Sequence, residues 1–438
     1  MFEGNVFGGL DGRLRNALSE SGYLKPTPIQ EKAIPHLLGG RDMIGIAQTG
    51  TGKTAAFMLP ILQHLLAVRK PRRIGHPRAL ILSPTRELAV QTAENTRRYA
   101  AHANLPLACL IGGVSQYGQV KDVKKGAEIV IACPGRLIDL MTQGIIYLAQ
   151  IECFVLDETD RMLDEADRML DMGFLPDIKR IISKLPLVRQ SMFFSATMSP
   201  EVSRLAGEMV KDPVKIEISP DTPAVEKINQ SVMSVAKSSK DSLLIHLLNT
   251  HPEWSKVIVF AKMRHGADRV VRKLNRERIS SAAIHSDKTQ NQRTKALEGF
   301  KKGDVRVLVA TDIASRGIDV KEVSCVVNLD LPLETESYVH RIGRTARAGE
   351  SGVAVSFVAP EERGLLKAIE RFIKKTIRFD NDHPFVPDNN SASQSDGLPQ
   401  APWNERGNNH GKKNRDGKKR RRKVNFAGRR QPDFRQKI

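Results

Sequence analysis

Cysteine and aromatic residues are scarce in this sequence of 438 residues. The four cysteines, Cys109, Cys133, Cys153 and Cys325, lack the paired spacing of a zinc site or a disulfide framework. Aromatic residues make up only 5% of the chain, and no apolar run reaches the about 20 residues that span a membrane. Residues 1–14 also lack the charged start and apolar stretch of a secretory signal. We therefore expect a cytoplasmic protein without membrane association.

Acidic residues are outnumbered in this chain. The 69 Lys and Arg residues face 49 Asp and Glu residues, which gives a formal charge of +20. Residues 410–438 alone contain thirteen Lys or Arg against Asp416 and Asp433. The surplus favours a polyanionic partner, because neutralised phosphates release counterions and give salt-sensitive binding. A tail that serves only solubility is the alternative.

Short apolar runs alternate with helical patterns in two successive series. Buried strands between helices are typical of parallel sheets built from βαβ units, so two α/β domains are predicted. The predicted strands cover residues 42–46, 79–82, 129–132, 153–156 and 191–194 in the first series and 257–260, 282–285, 305–310, 325–329 and 352–358 in the second.

Prolines and a change of composition set the predicted domain boundaries. Pro220 and Pro223 favour extended or turn backbone, which predicts a linker at residues 220–226 between domains at 1–219 and 227–379. After Phe379 the chain has few apolar residues, so burial cannot offset the entropy of ordering it. Residues 380–438 are therefore predicted to be a disordered basic tail.

A glycine-rich turn follows the first predicted strand and leads into a helical pattern. Glycines in such a turn let backbone N–H groups curl around an anion. Lys53 can supply charge to the outer phosphates, and Thr54 can offer a hydroxyl to Mg²⁺. The predicted loop consists of Ala47, Gln48, Thr49, Gly50, Thr51, Gly52, Lys53 and Thr54.

Two carboxylates, Asp157 and Glu158, follow the predicted strand at residues 153–156. The carboxyl ends of strands are where open α/β sheets bind ligands. An acidic pair at that position can hold Mg²⁺ and orient or deprotonate an attacking water. Together with the phosphate loop, the pair predicts a site that hydrolyses ATP with Mg²⁺.

The sequence resembles the DEAD-box ATP-dependent RNA helicases, bacterial type, over about residues 5–375. The resemblance rests on ordered motifs at residues 48–54, 84–88, 134–136, 195–197, 312–319 and 340–345, and on an adenine-reading motif at residues 7 and 23–30. It implies two tandem RecA-like domains that close on ATP and RNA. The implied activity is RNA-stimulated ATP hydrolysis with local unwinding of short duplexes or remodelling of RNA–protein complexes. The implied partners are single-stranded and short duplex RNA, with ribosome precursors or RNA-decay enzymes as further candidates, and the implied state is a monomer.

The resemblance also implies contacts with the nucleotide. Gln30 would hydrogen-bond adenine while Tyr23 stacks on it, and Asp319 would contact the ribose. Arg344 and Arg347 resemble arginine fingers that neutralise charge on the transferred phosphoryl group, so catalysis would require domain closure.

Other implied roles belong to the metal, to coupling and to RNA. Asp157 and Thr54 would serve Mg²⁺, partly through water, and Glu158 would act on the attacking water. Asp160 would hydrogen-bond Ser195 or Thr197 and link ATP to RNA, with His340 in the same coupling group. The residues implied in contacts with the RNA backbone are Arg86, Gly112, Gly113, Pro134, Gly135, Arg136, Arg293 and Thr311. Cys133 and Ala346 stand where the family usually has Thr and Gly.

The acidic motif is duplicated. Residues 157–163 read Asp-Glu-Thr-Asp-Arg-Met-Leu, and residues 164–170 repeat them with Ala in place of Thr. The second copy spells the family's motif with Asp164, Glu165, Ala166 and Asp167, yet only the first follows a good strand. Using the second copy would place Arg161 in the core of a parallel sheet, which is unfavourable for an unpaired arginine. The first copy is therefore predicted to be catalytic, with the second on a helix lengthened by about 10 Å.

Three functions remain open from the sequence. The leading one is an RNA-stimulated helicase. If the duplication disturbs coupling to Ser195 and Thr197, a weak ATPase or an ATP-gated RNA clamp would result. A DNA helicase is the third, although the adenine motif at Gln30 argues against it.

Overall fold

A computed structural model describes residues 2, 4–48, 50–164, 174–218, 228–312, 320, 322–346 and 352–387. Residues Met1–Pro387 form one compact unit. The predicted linker at 220–226 and the tail beyond residue 387 lie outside the described residues, as do Thr49, Glu165, Ala166, Asp167, Asp319 and Arg347.

The first domain is built around a parallel sheet. Within the described residues seven strands join it in the order β3-β4-β2-β5-β6-β1-β7, so strands distant in sequence lie side by side. Its strands are β1 Met43–Ile46, β2 Ala79–Leu82, β3 Leu107–Leu110, β4 Ile129–Ala132, β5 Cys153–Leu156, β6 Gln190–Ser195 and β7 Val214–Glu217. Its helices are α1 Gly12–Glu20, α2 Pro28–Leu38, α3 Lys53–Ala67, α4 Arg86–Tyr99, α5 Gln116–Lys124, α6 Pro134–Thr142, α7 Thr159–Asp164, α8 Leu175–Ile182 and α9 Pro200–Met209.

The second domain repeats this architecture. Its sheet has the strand order β10-β11-β9-β12-β13-β8-β14, again parallel throughout the described residues. The strands are β8 Ile228–Ser234, β9 Val257–Phe260, β10 Ser281–Ile284, β11 Val307–Ala310, β12 Cys325–Asn328, β13 Gly352–Val358 and β14 Arg378–Phe379. The helices are α10 Lys240–Thr250, α11 Arg264–Arg276, α12 Gln290–Lys302, α13 Thr335–Ile342 and α14 Arg363–Ile373.

Helices cover both faces of each sheet, which explains why the central strands are apolar along their whole length. Every residue of β2, β4, β5, β9, β11 and β12 is buried. In the first domain Ile81 and Val155 face one apolar cluster, while Leu80 and Leu156 face the other. The carboxyl ends of β1, β2, β5 and β6 consequently meet at one edge.

The predicted strands are present, with ends shifted by at most two residues, and the structure adds β3, β7, β8 and β14. Three of the added strands, β7, β8 and β14, are less apolar, whereas β3 is short but apolar. In β8, for example, the sequence INQSVMS alternates buried and exposed residues at its start. Such strands resemble loops in sequence, and neighbouring strands decide their conformation.

The second domain extends beyond the predicted boundary at Phe379. Asp380 N–H donates to the Val232 carbonyl at 2.8 Å, and Asn381 accepts from Ser234 N–H. Phe385 packs against the core beside His246. The prediction of disorder from Asp380 is therefore wrong for residues 380–387, because these few contacts hold a segment that is mostly polar.

The four cysteines are free thiols, and Cys153 and Cys325 are buried. Among the helices that the structure describes, none is long and apolar enough to cross a membrane.

Candidate functional site

The phosphate loop connects β1 to α3 at the edge where the strands end. Gly50 and Gly52 have φ angles of 91° and 96°, a left-handed conformation that favours glycine. A Cβ on Gly52 would lie 2.5 Å from Gln30 Nε2, so this position also has no room for a side chain. The Lys53 ammonium donates to the Ala47 carbonyl at 2.7 Å and is held across the loop. Thr54 is the second residue of α3.

Gln30 of the predicted adenine motif is hydrogen-bonded to the phosphate loop. Gln30 is 1% exposed; its Nε2 donates to the Gly52 carbonyl at 3.1 Å and its Oε1 accepts from Thr27 N–H at 2.9 Å. The Tyr23 ring meets Tyr99 edge to face at 5.5 Å, and the two hydroxyls are 3.0 Å apart. The predicted adenine contacts stay predictions, but Gln30 lies directly against the loop that would hold the phosphates.

The first acidic copy emerges from the end of β5. Asp157 N–H donates to the Leu82 carbonyl at 3.1 Å, which continues the sheet by one hydrogen bond. The chain then turns sharply at Glu158, whose φ of 51° is unusual for a residue with a side chain. The Asp157 and Glu158 side chains are 2% and 3% exposed. This geometry agrees with the strand argument for the first copy. Of the second copy, Asp164 is the last residue of α7, and the rest lies outside the described residues.

Asp160 joins the acidic motif to the end of β6. Its Oδ2 accepts from the N–H groups of Ala196 and Thr197 at 3.1 and 3.2 Å, and from the Thr197 hydroxyl at 3.4 Å. Its own N–H donates to Ser195 Oγ at 3.2 Å. The expected hydrogen bonds to Ser195 and Thr197 are therefore both present. A displacement of the acidic motif or of residues 195–197 must therefore shift or break these hydrogen bonds.

The arginine-rich motif of the second domain lies on α13 and the turn after it. Arg341 is buried and makes a bidentate ion pair with Asp312 at 2.6 and 2.7 Å, over the Phe260 ring. Arg344 Nε donates to the His340 carbonyl at 3.2 Å. The sequence reasoning gave Arg341 no role of its own, although its position between His340 and Arg344 marks it as part of the motif. It holds the segment at Asp312 against α13.

Six of the eight residues implied in RNA binding lie in the first domain, around Arg86 and the start of α6. The Arg86 guanidinium lies against Gly113, where a Cβ would be 2.0 Å from its Nη1 and would displace it, and the φ of 75° at Gly113 also favours glycine. Arg136 Nη2 donates to the Val114 carbonyl at 3.2 Å, which places it beside the same turn. Gly112 lies next to Arg86, and Pro134 and Gly135 are the first two residues of α6. Thr311 follows β11 in the second domain.

Arg293 has a different environment from the other RNA candidates. Its guanidinium forms an ion pair with Glu87 at 2.9 Å, and neighbouring Gln290 donates to Glu87 at 3.1 Å. Arg86 in turn donates to Gln290 at 3.3 Å. Because Glu87 belongs to α4 and Arg293 to α12, this cluster links the two domains. The sequence reasoning missed Glu87, which lies within the motif at residues 84–88.

Oxygen ligands at the phosphate loop suit Mg²⁺. No group of three or more His, Cys, Asp or Glu side chains that could enclose a metal occurs among the described residues. Mg²⁺ usually binds one or two carboxylates together with water and substrate phosphates. The buried Asp157 carboxylate at the end of β5 and the Thr54 hydroxyl at the start of α3 match that ligand set.

The fold and the site together define an α/β nucleotide-binding protein with two RecA-like domains. The DEAD/DEAH box helicase family matches residues 27–164 and 162–205, and the helicase conserved C-terminal domain matches residues 239–349. RhlB of Pseudomonas putida, an ATP-dependent RNA helicase, is 41% identical over 374 residues, which cover 84% of this chain and 92% of RhlB. The chain belongs to the DEAD-box ATP-dependent RNA helicase family.

Further relatives agree with this assignment. DEAD-box ATP-dependent RNA helicase 30 of Arabidopsis thaliana is 41% identical over 82% of this chain and 60% of its own length. The chain thus spans about three fifths of the length of several curated relatives. The structure of S. cerevisiae Dbp5 bound to RNA and ADP BeF3 matches with a TM-score of 0.74 and 30% identity, over 86% of this chain and 95% of that one. The two segments of the family match meet at residues 162–164, within the duplicated stretch.

Proposed function

We propose that this chain is an RNA-stimulated ATPase that separates short RNA duplexes locally or remodels RNA–protein complexes. The hydrogen bonds of Asp160 to Ala196 and Thr197 carry the proposal, because they tie the acidic motif to a second motif at the same sheet edge. A site that only bound ATP would have no need of such a link. The names of the relatives, which are RNA helicases, support the same function.

The proposed reaction is attack of water on the γ-phosphorus of ATP. A new bond forms between the water oxygen and phosphorus while the bond to the bridging oxygen of ADP breaks. Glu158 takes the water proton, and Lys53 neutralises charge on the outer phosphates. Arg344 and Arg347 would add positive charge from the second domain, so hydrolysis would depend on domain closure.

Mg²⁺ is the proposed metal. Bound at Asp157 and Thr54, it would neutralise charge on the β- and γ-phosphates. Asp157, which is buried at the end of β5, would bind it partly through water, because Mg²⁺ usually keeps several of its waters.

The proposed RNA site is the cluster around Arg86, Gly113 and Arg136. Arginine binds phosphates in a bidentate manner, and glycine lets the RNA backbone approach closely. Contacts of this kind position a strand without reading its bases. We therefore propose single-stranded and short duplex RNA as ligands, with 2′-hydroxyl contacts giving preference over DNA. A monomeric state, a cytoplasmic location and partners among ribosome precursors or RNA-decay enzymes are further proposals from sequence.

The test is phosphate release with and without RNA in wild type, Lys53→Ala, Glu158→Gln and Glu165→Gln. Lys53→Ala should abolish hydrolysis, because the phosphates lose the ammonium held across the loop. Glu158→Gln should lower the RNA-stimulated rate by at least about 10²-fold, the scale of losing a positioned acid–base group. Glu165→Gln is the matched control from the second acidic copy and should change the rate little.

Other outcomes point to other functions. RNA binding with ATP but without phosphate release would indicate an ATP-gated clamp. Equal stimulation by single-stranded DNA and RNA would contradict the RNA preference. A large loss in Glu165→Gln with normal turnover in Glu158→Gln would assign the chemistry to the second copy. Near-normal turnover in Lys53→Ala would remove the phosphate-loop assignment.

A further inference from the structure

The hydroxyl of Thr159 lies at the turn that carries the acid pair. Thr159 is the first residue of α7, and its side chain is completely buried. Its Oγ1 lies 3.2 Å from the Phe194 carbonyl oxygen and 3.5 Å from the Leu156 carbonyl oxygen. A threonine hydroxyl has one hydrogen to donate, so the two carbonyls share it and the shorter contact is favoured.

One of these two contacts is local in sequence, and the other joins distant segments. The bond to Leu156 spans three residues and is of the local kind that threonine often makes. The bond to Phe194 spans 35 residues and joins the start of α7 to strand β6. Phe194 immediately precedes Ser195, which accepts from the N–H of Asp160. The Thr159 hydroxyl therefore ties the acidic motif to β6 one residue ahead of the Asp160 contacts.

The residue between these anchors is Glu158, and its backbone is strained. A left-handed φ of 51° is unfavourable for glutamate, and such a conformation persists only where its surroundings hold it. On one side, Asp157 N–H is bonded to the Leu82 carbonyl. On the other side, the Thr159 hydroxyl reaches the carbonyls at the ends of β5 and β6. Glu158 is thus fixed at both ends of the turn, and the direction of its Cα–Cβ bond follows from the turn.

We propose that Thr159 is a positioning residue that holds Glu158 for its reaction through the hydrogen bond to the Phe194 carbonyl. Alanine, the usual residue of the family here and of the second copy at Ala166, has no hydroxyl to make this bond. The inference rests on the proposed role of Glu158. It assigns a catalytic consequence to the one residue by which the first acidic copy departs from the family motif.

The experiment compares Thr159→Ser, Thr159→Val and Thr159→Ala in the full chain. Ser keeps the hydroxyl, and Val keeps the branched shape without it. With saturating RNA, Val and Ala should lower kcat by about fivefold to tenfold, the scale of one hydrogen bond. The KM for ATP should stay within about twofold, because the phosphate-loop contacts are unchanged. Ser should stay close to wild type.

A second measurement separates positioning from general stability. In a Glu158→Gln background, Thr159→Val should cause no further loss in single-turnover hydrolysis, because the residue that it positions has already been disabled. An equal proportional loss in that background would overturn the proposal, as would unchanged kcat in both Val and Ala. A Ser variant as slow as Val would also overturn it, because the hydroxyl would then be irrelevant. Normal hydrolysis in Glu158→Gln alone would instead refute the proposed role of Glu158.

Discussion

Ala346 adopts a backbone conformation that favours glycine. Its φ of 54° falls in the left-handed region, directly before Arg347 in the arginine-rich motif. The family usually has glycine at this position, because glycine adopts a left-handed φ without strain. A left-handed residue with a side chain costs about 1–2 kcal/mol, so this chain carries strain beside a predicted arginine finger.

Ala346→Gly should therefore stabilise the second domain. Relief of strain exceeds the greater chain entropy of glycine, which leaves a net gain of about 0.5–1 kcal/mol. Thermal unfolding of wild type and variant measures the difference. Ala236→Gly is the matched control, because Ala236 has an ordinary φ of −64° and should lose stability. Destabilisation in both variants would contradict the strain argument.

At the scale of elements, a partly buried ion-pair network around Arg78 ties three strands together where they enter the first sheet. Arg78, just before β2, pairs with Glu128 before β4 at 3.3 Å and with Glu152 before β5 at 2.6 Å. His64 and Lys70 each approach Glu152 at 2.9 Å. Burial alone would raise the pKa of Glu152, but hydrogen bonds from Arg78, His64 and Lys70 lower it to about 2.

The lowered pKa of Glu152 predicts acid sensitivity. Its contribution to stability is present above its ordinary pKa of 4.5 and is lost as the pH falls towards about 2. Glu152→Gln should have a lower free energy of unfolding than wild type at pH 7. This difference should become smaller between about pH 5 and pH 2. Thermal unfolding across that range is the measurement, with exposed Glu277→Gln as control. A difference in unfolding free energy that does not change with pH would show that the charge of the Glu152 carboxylate does not cause the difference in stability.

At the scale of the whole molecule, the cluster of Glu87, Gln290 and Arg293 joins the two domains. Glu87 is buried, so its ion pair with Arg293 at 2.9 Å is shielded from water. Removing one member of a buried pair leaves an uncompensated charge and costs about 3–5 kcal/mol. The arrangement of the two domains should therefore depend on this contact, and with it the proposed hydrolysis that requires both.

Glu87→Gln and Arg293→Gln should each lower RNA-stimulated phosphate release by at least about tenfold, because a 1.4 kcal/mol loss corresponds to that factor. The double variant should be no worse than the poorer single variant, since both remove the same interaction. Glu94→Gln, an exposed position on the same helix, is the control. If the free-energy losses of the two single variants add up in the double variant, Glu87 and Arg293 act separately.

The basic tail at residues 410–438 lies outside the described residues, and its expected role follows from its charge. Deletion of residues 410–438 should weaken RNA binding, most visibly at low salt, and reduce the slope of log Kd against log salt. A variant of equal length with the thirteen Lys and Arg residues changed to Gln should behave like the deletion. Unchanged affinity and slope in both variants would leave the tail with a role in solubility.

The sequence by itself determined the central strands, the phosphate loop and the family. These features are local: a buried parallel strand is a short apolar run, and a phosphate loop needs glycines and a lysine at fixed spacing. It also placed Asp157 and Glu158 at the end of β5, because Arg161 does not belong in a sheet core. The more polar strands β7, β8 and β14 and the end of the second domain at Pro387 were not predictable, since polar segments are ordered there by distant partners.

Only the tertiary structure decided which side chains meet. The strand order puts β5 beside β6 and β6 beside β1, although their sequences are far apart. That order brings Thr159 to the Phe194 carbonyl, and it gives the physical basis of the Asp160–Thr197 hydrogen bond that the family resemblance implied. The packing of α4 with α12 likewise pairs Glu87 with Arg293, a residue assigned to RNA from sequence. Such contacts depend on how distant segments pack against each other. A sequence pattern within one segment therefore does not predict them.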